Sequence, residues 1–118
     1  MHNYIQNIHS FGISHKDAAV EIRETFSLTY DQAKYLYKLK SEFNINECYI
    51  LSTCNRTEFY AICDNIDSLK EFIISGYASL DKHIKMDGLH HLSGSDCIHH
   101  LMQVSAGMDS MMLGETQI

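Results

Sequence analysis

Apolar positions in this chain change their spacing from segment to segment, and the spacing predicts the elements. Within Tyr4 to Ser14, Ile5, Ile8, Phe11 and Ile13 read as a first strand. Asp17 to Thr25 reads as a short helix with Ala18, Ala19 and Ile22 inward. A longer helix follows, opened by a Thr29/Gln32 capping-box pattern with Leu28 ahead of it as a hydrophobic staple. Ala33, Leu36, Tyr37, Lys40 and Phe43 then fall at three- and four-residue steps, and only Lys40 interrupts the apolar stripe. Cys48 to Leu51 is a continuous apolar run of strand length, as a strand covered on both faces requires. Phe59 to Cys63 is a second such run, and the short polar connection between the two makes them antiparallel neighbours.

Ser68 opens the next predicted helix, with Leu69, Phe72, Ile73, Gly76, Tyr77 and Leu80 on its apolar side. A last short strand is expected between His83 and Leu89. Ser93 and Asp96 then suggest a capped start for a final helix carrying Leu101, Met102, Ser105, Met108 and Met112. The order β-α-α-β-β-α-β-α predicts an α+β fold: a ferredoxin-like antiparallel sheet with helices packed on one face, plus an extra helix.

Composition narrows the function classes. A chain of 118 residues, 45% apolar and 20% charged, fits one globular domain spanning residues 1–118, with no proline- or glycine-rich linker to divide it. No apolar run approaches the ~20 residues that span a bilayer, and the start lacks the basic flank and apolar core of a signal peptide, so the expected location is the cytoplasm. Nine basic residues scattered among fifteen acidic ones, for a net charge of −6, argue against a broad nucleic-acid surface on this domain alone. The eight histidines and four cysteines form no zinc-type spacing and no C-x-x-C pair, so no metal site is expected. No G-x-G-x-x-G or Walker motif occurs, so no cofactor-binding residue is assigned in this chain.

Chemistry concentrates in two places. Ser52-Thr53-Cys54-Asn55-Arg56-Thr57-Glu58 is a polar stretch between two apolar strands, where a rigid sheet can present a reactive group. Cys48 and Cys63 sit in apolar runs and read as small buried hydrophobes, whereas the neighbours of Cys54 are polar. Arg56 can favour a thiolate by its charge, or grip a substrate carboxylate with its planar fork. On the final helix His100, Gln103, Val104 and Gly107 share one face. There His100 can act as acid, base or positioning group, or serve only as a surface histidine.

These residues also carry a resemblance. Ser52 to Tyr60 resembles the S-T-C-N-R-x-E signature of glutamyl-tRNA reductases. Gly12 to Lys16, running on to Val20-Glu21-Ile22-Arg23-Glu24, resembles the opening element of that family, and His100 to Ile118 its H-L…G-E-x-Q-I block. The resemblance implies an N-terminal catalytic domain that binds glutamate and forms a thioester. In it the catalytic pair is Cys54, the nucleophile attacking the ester of glutamyl-tRNA, and His100. Arg56 grips the glutamate carboxylate, and Thr53, Asn55 and Ser110 line the substrate pocket. The thioester is reduced by NADPH to glutamate-1-semialdehyde for tetrapyrrole (porphyrin and heme) synthesis. The NADPH-binding and dimerisation domains are expected downstream of this chain. A full-length homodimer and glutamate-1-semialdehyde aminomutase as channelling partner are implied with them. Gln103 stands where the family usually has arginine, Ala106 where it has serine and Ala19 where it has proline. Two readings compete: a degenerate binding module of the same fold, and a cysteine-dependent ester hydrolase. The latter would need no nicotinamide domain.

Overall fold

The computed structural model describes residues 7–115, with side chains to residue 107. Its elements are β1 (Ile8–Ser14), α1 (Val20–Phe26), α2 (Tyr30–Leu39) with a 3-10 turn at Lys40–Phe43, β2 (Glu47–Ser52), β3 (Arg56–Ile62), α3 (Ile66–Ser79), β4 (His90–Ser93) and α4 (Gly94–Glu115). The strands form one antiparallel sheet in the order β2-β3-β1-β4, which is the ferredoxin-like order.

Alternation along the two central strands decides what each face of this sheet becomes. Phe11 lies opposite Phe59, and Ile13 opposite Thr57, on one face; Ser10, Gly12 and Ser14 lie opposite Tyr60, Glu58 and Arg56 on the other. The first face is the core. Phe11, Ile13, Phe59 and Ala61 meet Leu36 of α2 and Leu69, Phe72, Ile73 and Tyr77 of α3 in one buried cluster. Phe59 packs edge-on against both Phe72 and Tyr77, at centroid distances of 6.4 and 6.0 Å. The two helices approach so closely that a Cβ on Gly76 would lie 2.2 Å from Leu36 Cδ2. Where the core needs a polar partner it has one: Tyr77 donates to the Phe26 carbonyl, and the Tyr37 hydroxyl accepts the Ile50 amide at 2.7 Å.

The second face is roofed by the last helix, α4. α4 runs over β1 and β4 and buries Cys97 and Val104. This face therefore carries polar groups under a partial roof, and the cleft described below opens there.

Local signals explain most boundaries. Thr29 caps α2 as its pattern predicts: its Oγ1 accepts the Gln32 amide at 3.2 Å while Gln32 Oε1 accepts the Thr29 amide at 2.9 Å. Lys40, the break in that stripe, donates from Nζ to the carbonyls of Ile45 and Asn46. α3 starts at Ile66 rather than Ser68, because Asn65 Oδ1 caps the Asp67 amide at 2.9 Å. α1 buries Phe26 and leaves Ile22 exposed, against expectation. Ala19 caps α1 with φ −65°, a value that a proline ring would also allow. Of the first predicted strand, Tyr4 and Ile5 lie outside the described residues.

The last strand lies at His90–Ser93, not between His83 and Leu89, where the chain makes a 3-10 turn at Met86–Gly88. β4 is short and three of its four residues are exposed, so it has little apolar alternation; it is held by pairing with His9 to Gly12. Ser93 ends the strand, and Gly94 at φ 61° turns the chain straight into α4.

This edge also holds a histidine pair. His9 Nδ1 and His91 Nε2 lie 3.2 Å apart, and the His91 ring stacks on Phe11 at 4.7 Å. Burial lowers the pKa of both from 6.5, helped at His9 by His91 and at His91 by Lys70 of α3. Groups with depressed folded values contribute stability that is complete above their unfolded pKa and lost as pH falls through the folded one. The melting temperature should therefore fall as pH drops from about 7.5 to about 5. His9→Gln should flatten that dependence, and a slope unchanged by the substitution would show that the pair has no part in it.

Candidate active site

A cleft of about 740 Å³ opens on the polar face, between the β2–β3 hairpin loop, the turn after β1, strand β4 and helix α4. The hairpin loop consists of Thr53, Cys54 and Asn55, and its backbone is unusually well tied for so short a connection. The Thr53 amide donates to the Arg56 carbonyl at 2.8 Å, closing the turn. The Asn55 amide donates to Thr53 Oγ1 at 3.2 Å, and the Asn55 carbonyl accepts the His15 amide at 2.8 Å. Arg23 reaches from α1 to donate from Nη1 to the Cys54 carbonyl at 3.0 Å. One residue before the loop, Ser52 Oγ accepts the Leu28 amide and bonds the Thr57 hydroxyl. The result is a rigid platform for one side chain.

That side chain is an exposed thiol. Cys54 is the exposed member of the four free cysteines. Burial pushes the Cys48 thiol up to about 12 and raises those of Cys63 and Cys97 as well, so these three are kept protonated and inert.

Behind the loop stands a buried carboxylate. Glu58 is 4% exposed, and its two oxygens take three side-chain partners. Oε2 accepts from Arg56 Nη1 at 3.0 Å and from His100 Nε2 at 2.7 Å; Oε1 accepts the Tyr60 hydroxyl at 2.5 Å. Burial, then the bond to Glu58, raises the Tyr60 pKa steeply, so the phenol stays protonated and donates. A carboxylate only accepts, so in its bond to an ionised Glu58 the His100 ring donates from Nε2. Arg56 keeps further N–H groups with no protein acceptor among the described residues, and it lines the cleft.

A second carboxylate sits at the rim. Asp17 Oδ2 accepts the Ser14 amide and hydroxyl, and Oδ1 meets His90 Nε2 at 2.6 Å. Its slight burial alone would raise its pKa, but His90 and Ser14 together hold it below the usual carboxylate value.

The structure thus brings Thr53, Cys54, Asn55, Arg56 and His100 to one cleft, with Gln103, Val104 and Gly107 on the α4 wall. The side chain of Ser110 lies outside the described residues. Glu58 and Asp17 also line the cleft, Tyr60 backs Glu58 and Arg23 holds the loop; sequence reasoning assigned none of the four a role, although Glu58 and Tyr60 lie in the Ser52–Tyr60 stretch. One signal for Glu58 and Tyr60 was available: residues 56, 58 and 60 of a strand share a face, so Arg56 brings both with it. Among the described residues no group of three or more His, Cys, Asp or Glu side chains is arranged to hold a metal ion.

Known proteins resemble this chain over nearly its whole length. The family described as the glutamyl-tRNA(Glu) reductase N-terminal domain matches residues 11–118. A glutamyl-tRNA reductase of Brevibacillus brevis is 40% identical over 111 residues, covering 91% of this chain and 24% of that protein. One from Heliobacterium mobile is 42% identical over 113 residues, covering 91% and 25%. The solved glutamyl-tRNA reductase of Methanopyrus kandleri superposes with a TM-score of 0.65 at 31% identity, over 93% of this chain and 25% of that one. The chain spans about a quarter of the length of these relatives.

Gly12 lies opposite Glu58 in the sheet, and a Cβ there would stand 2.7 Å from Glu58 Cγ and 3.2 Å from the Thr57 carbonyl oxygen. Gly12→Ala should therefore displace Glu58 and cost about 1–3 kcal/mol, read as a lower urea midpoint. Gly88→Ala, with nothing within 4 Å of its Cβ position, should change stability by at most about 0.5 kcal/mol. Equal shifts for the two would show that Glu58 is not confined by Gly12.

Proposed function

Because this chain belongs to the glutamyl-tRNA reductase N-terminal domain family, we propose that its cleft receives the glutamyl end of glutamyl-tRNA and forms a thioester on Cys54. The observation that carries this reading is the pairing of an exposed thiol on a rigid loop with a buried carboxylate that orients both a histidine and an arginine.

The step is an acyl transfer. The Cys54 thiolate attacks the ester carbonyl carbon, a C–S bond forms, and the C–O bond to the terminal ribose breaks. The tRNA leaves as an alkoxide that takes up a proton. An aminoacyl ester is already activated, so the residues need only orient it, supply that proton and stabilise the developing oxyanion. Arg56 is suited to the glutamate side-chain carboxylate: one edge of its guanidinium is fixed by Glu58 and the rest lines the cleft. His100, held through Nε2, offers Nδ1 to carry the thiol proton away and return it to the leaving oxygen. Thr53 and Asn55 line the pocket, and we assign Ser110 to it with them.

NADPH, bound outside these residues, supplies the hydride that converts the thioester to glutamate-1-semialdehyde and frees the thiolate. In this reading the product feeds tetrapyrrole synthesis in the cytoplasm. The dinucleotide-binding and dimerisation parts lie in the remaining three-quarters of a full-length homodimer, with the aminomutase that consumes the aldehyde as channelling partner.

Glutamyl-tRNA incubated briefly with the protein should leave a glutamyl adduct visible in the intact mass. The adduct should be released by hydroxylamine and should be missing from Cys54→Ser. Failure of the native protein to form it, or an equal adduct on the serine variant, would remove Cys54 from the chemistry.

A further inference from the structure

Among the described residues, Arg23 is the side chain that reaches the nucleophile's own backbone from a distant element. It sits on α1, 31 residues from Cys54, and donates from Nη1 to the Cys54 carbonyl at 3.0 Å. Its Nε is buried and has no hydrogen-bond partner among the described residues. A buried donor left unpaired is costly, and an apolar side chain could fill that position without the cost. Anchoring α1 therefore does not account for an arginine here; the contact it makes with the loop does.

That contact has a mechanical consequence. The peptide unit is planar, so fixing the Cys54 carbonyl fixes the plane between Cys54 and Asn55, and with it ψ at Cys54. The Asn55 amide of the same plane is held by Thr53 Oγ1, and the Asn55 carbonyl of the next plane by the His15 amide. Both peptide planes that follow the thiol are thus pinned, and Arg23 provides the one pin with a full charge behind it.

We infer that Arg23 is a positioning residue for Cys54: by holding the Cys54 carbonyl it sets the direction from which the thiol meets the ester carbonyl. The inference rests on the assignment of Cys54 as nucleophile. Arg23 does not line the cleft, so its loss leaves the substrate contacts in place and removes the alignment. Misplacement of a reacting group by about 1 Å can cost about 100-fold in rate.

The test is single-turnover thioester formation in the full-length protein, with melting temperature and iodoacetamide labelling of Cys54 measured alongside. Arg23→Ala should form the thioester about 10- to 100-fold more slowly at saturating glutamyl-tRNA, with a half-saturating concentration within about twofold of native. Labelling of Cys54 should change by less than about threefold, because a small reagent needs no fixed approach. Arg23→Lys, which keeps a charged donor, should recover part of the rate, whereas Arg23→Gln should recover less. If Arg23→Ala does not fold, the lysine and glutamine variants carry the comparison at matched melting temperature. A folded Arg23→Ala as fast as native, or lysine and glutamine variants with equal rates, overturns the inference while the nucleophile stands. Absence of any Cys54 adduct on the native protein overturns both.

Discussion

A carboxylate removed from water has to be compensated where it stands, and the polar side of this domain is built around one such group. Glu58 sits at the centre of the sheet with three side-chain partners on its two oxygens: a guanidinium, an imidazole and a phenol. Removing one partner would leave a buried charge undercompensated, a more serious loss than that of an exposed ion pair. The three partners are therefore locked together. Arg56 and Tyr60 come from the same strand at alternate positions, and His100 comes from the helix that roofs the sheet. The carboxylate thus fastens α4 to β3 and orients the guanidinium and the imidazole that line the cleft.

The opposite face makes this possible. Its aromatic core, centred on Phe59, Phe72 and Tyr77, holds the strands in one register. Since side chains alternate, a slip of one residue would carry Glu58 into that core and Phe59 into the cleft. Stability and site are therefore set by neighbouring residues of one strand. Gly12, directly across from Glu58, contributes by having no side chain, because any Cβ there would occupy the space of the Glu58 stem.

Much of this was legible in the sequence. The strand runs, the capping box at Thr29 and the polar connection around Cys54 each carry a local signal, and the α4 stripe of His100, Gln103, Val104 and Gly107 does face the cleft. What escaped was long-range. β4 has almost no apolar alternation, because its place comes from pairing with β1 rather than from its own side chains. The burial of Glu58 depends on α4 arriving from 42 residues away, and the contact of Arg23 with Cys54 depends on the packing of α1. No periodicity encodes such meetings. Arg56 illustrates the division: sequence reasoning placed it beside the thiol with two roles open, and its bond to Glu58 at the cleft wall is something only the fold reveals.

The claim at the centre is that Glu58 and His100 act as a unit. A double-mutant cycle with Glu58→Gln and His100→Ala, read as the rate of thioester formation from glutamyl-tRNA, measures that directly. If the carboxylate works by orienting the imidazole, Glu58→Gln should slow the reaction by a smaller factor in the His100→Ala background than in the native protein, with a coupling of about 0.5–3 kcal/mol and the remaining effect passing through Arg56. Losses that simply add would mean that the two residues act independently and that the cleft is not organised around Glu58.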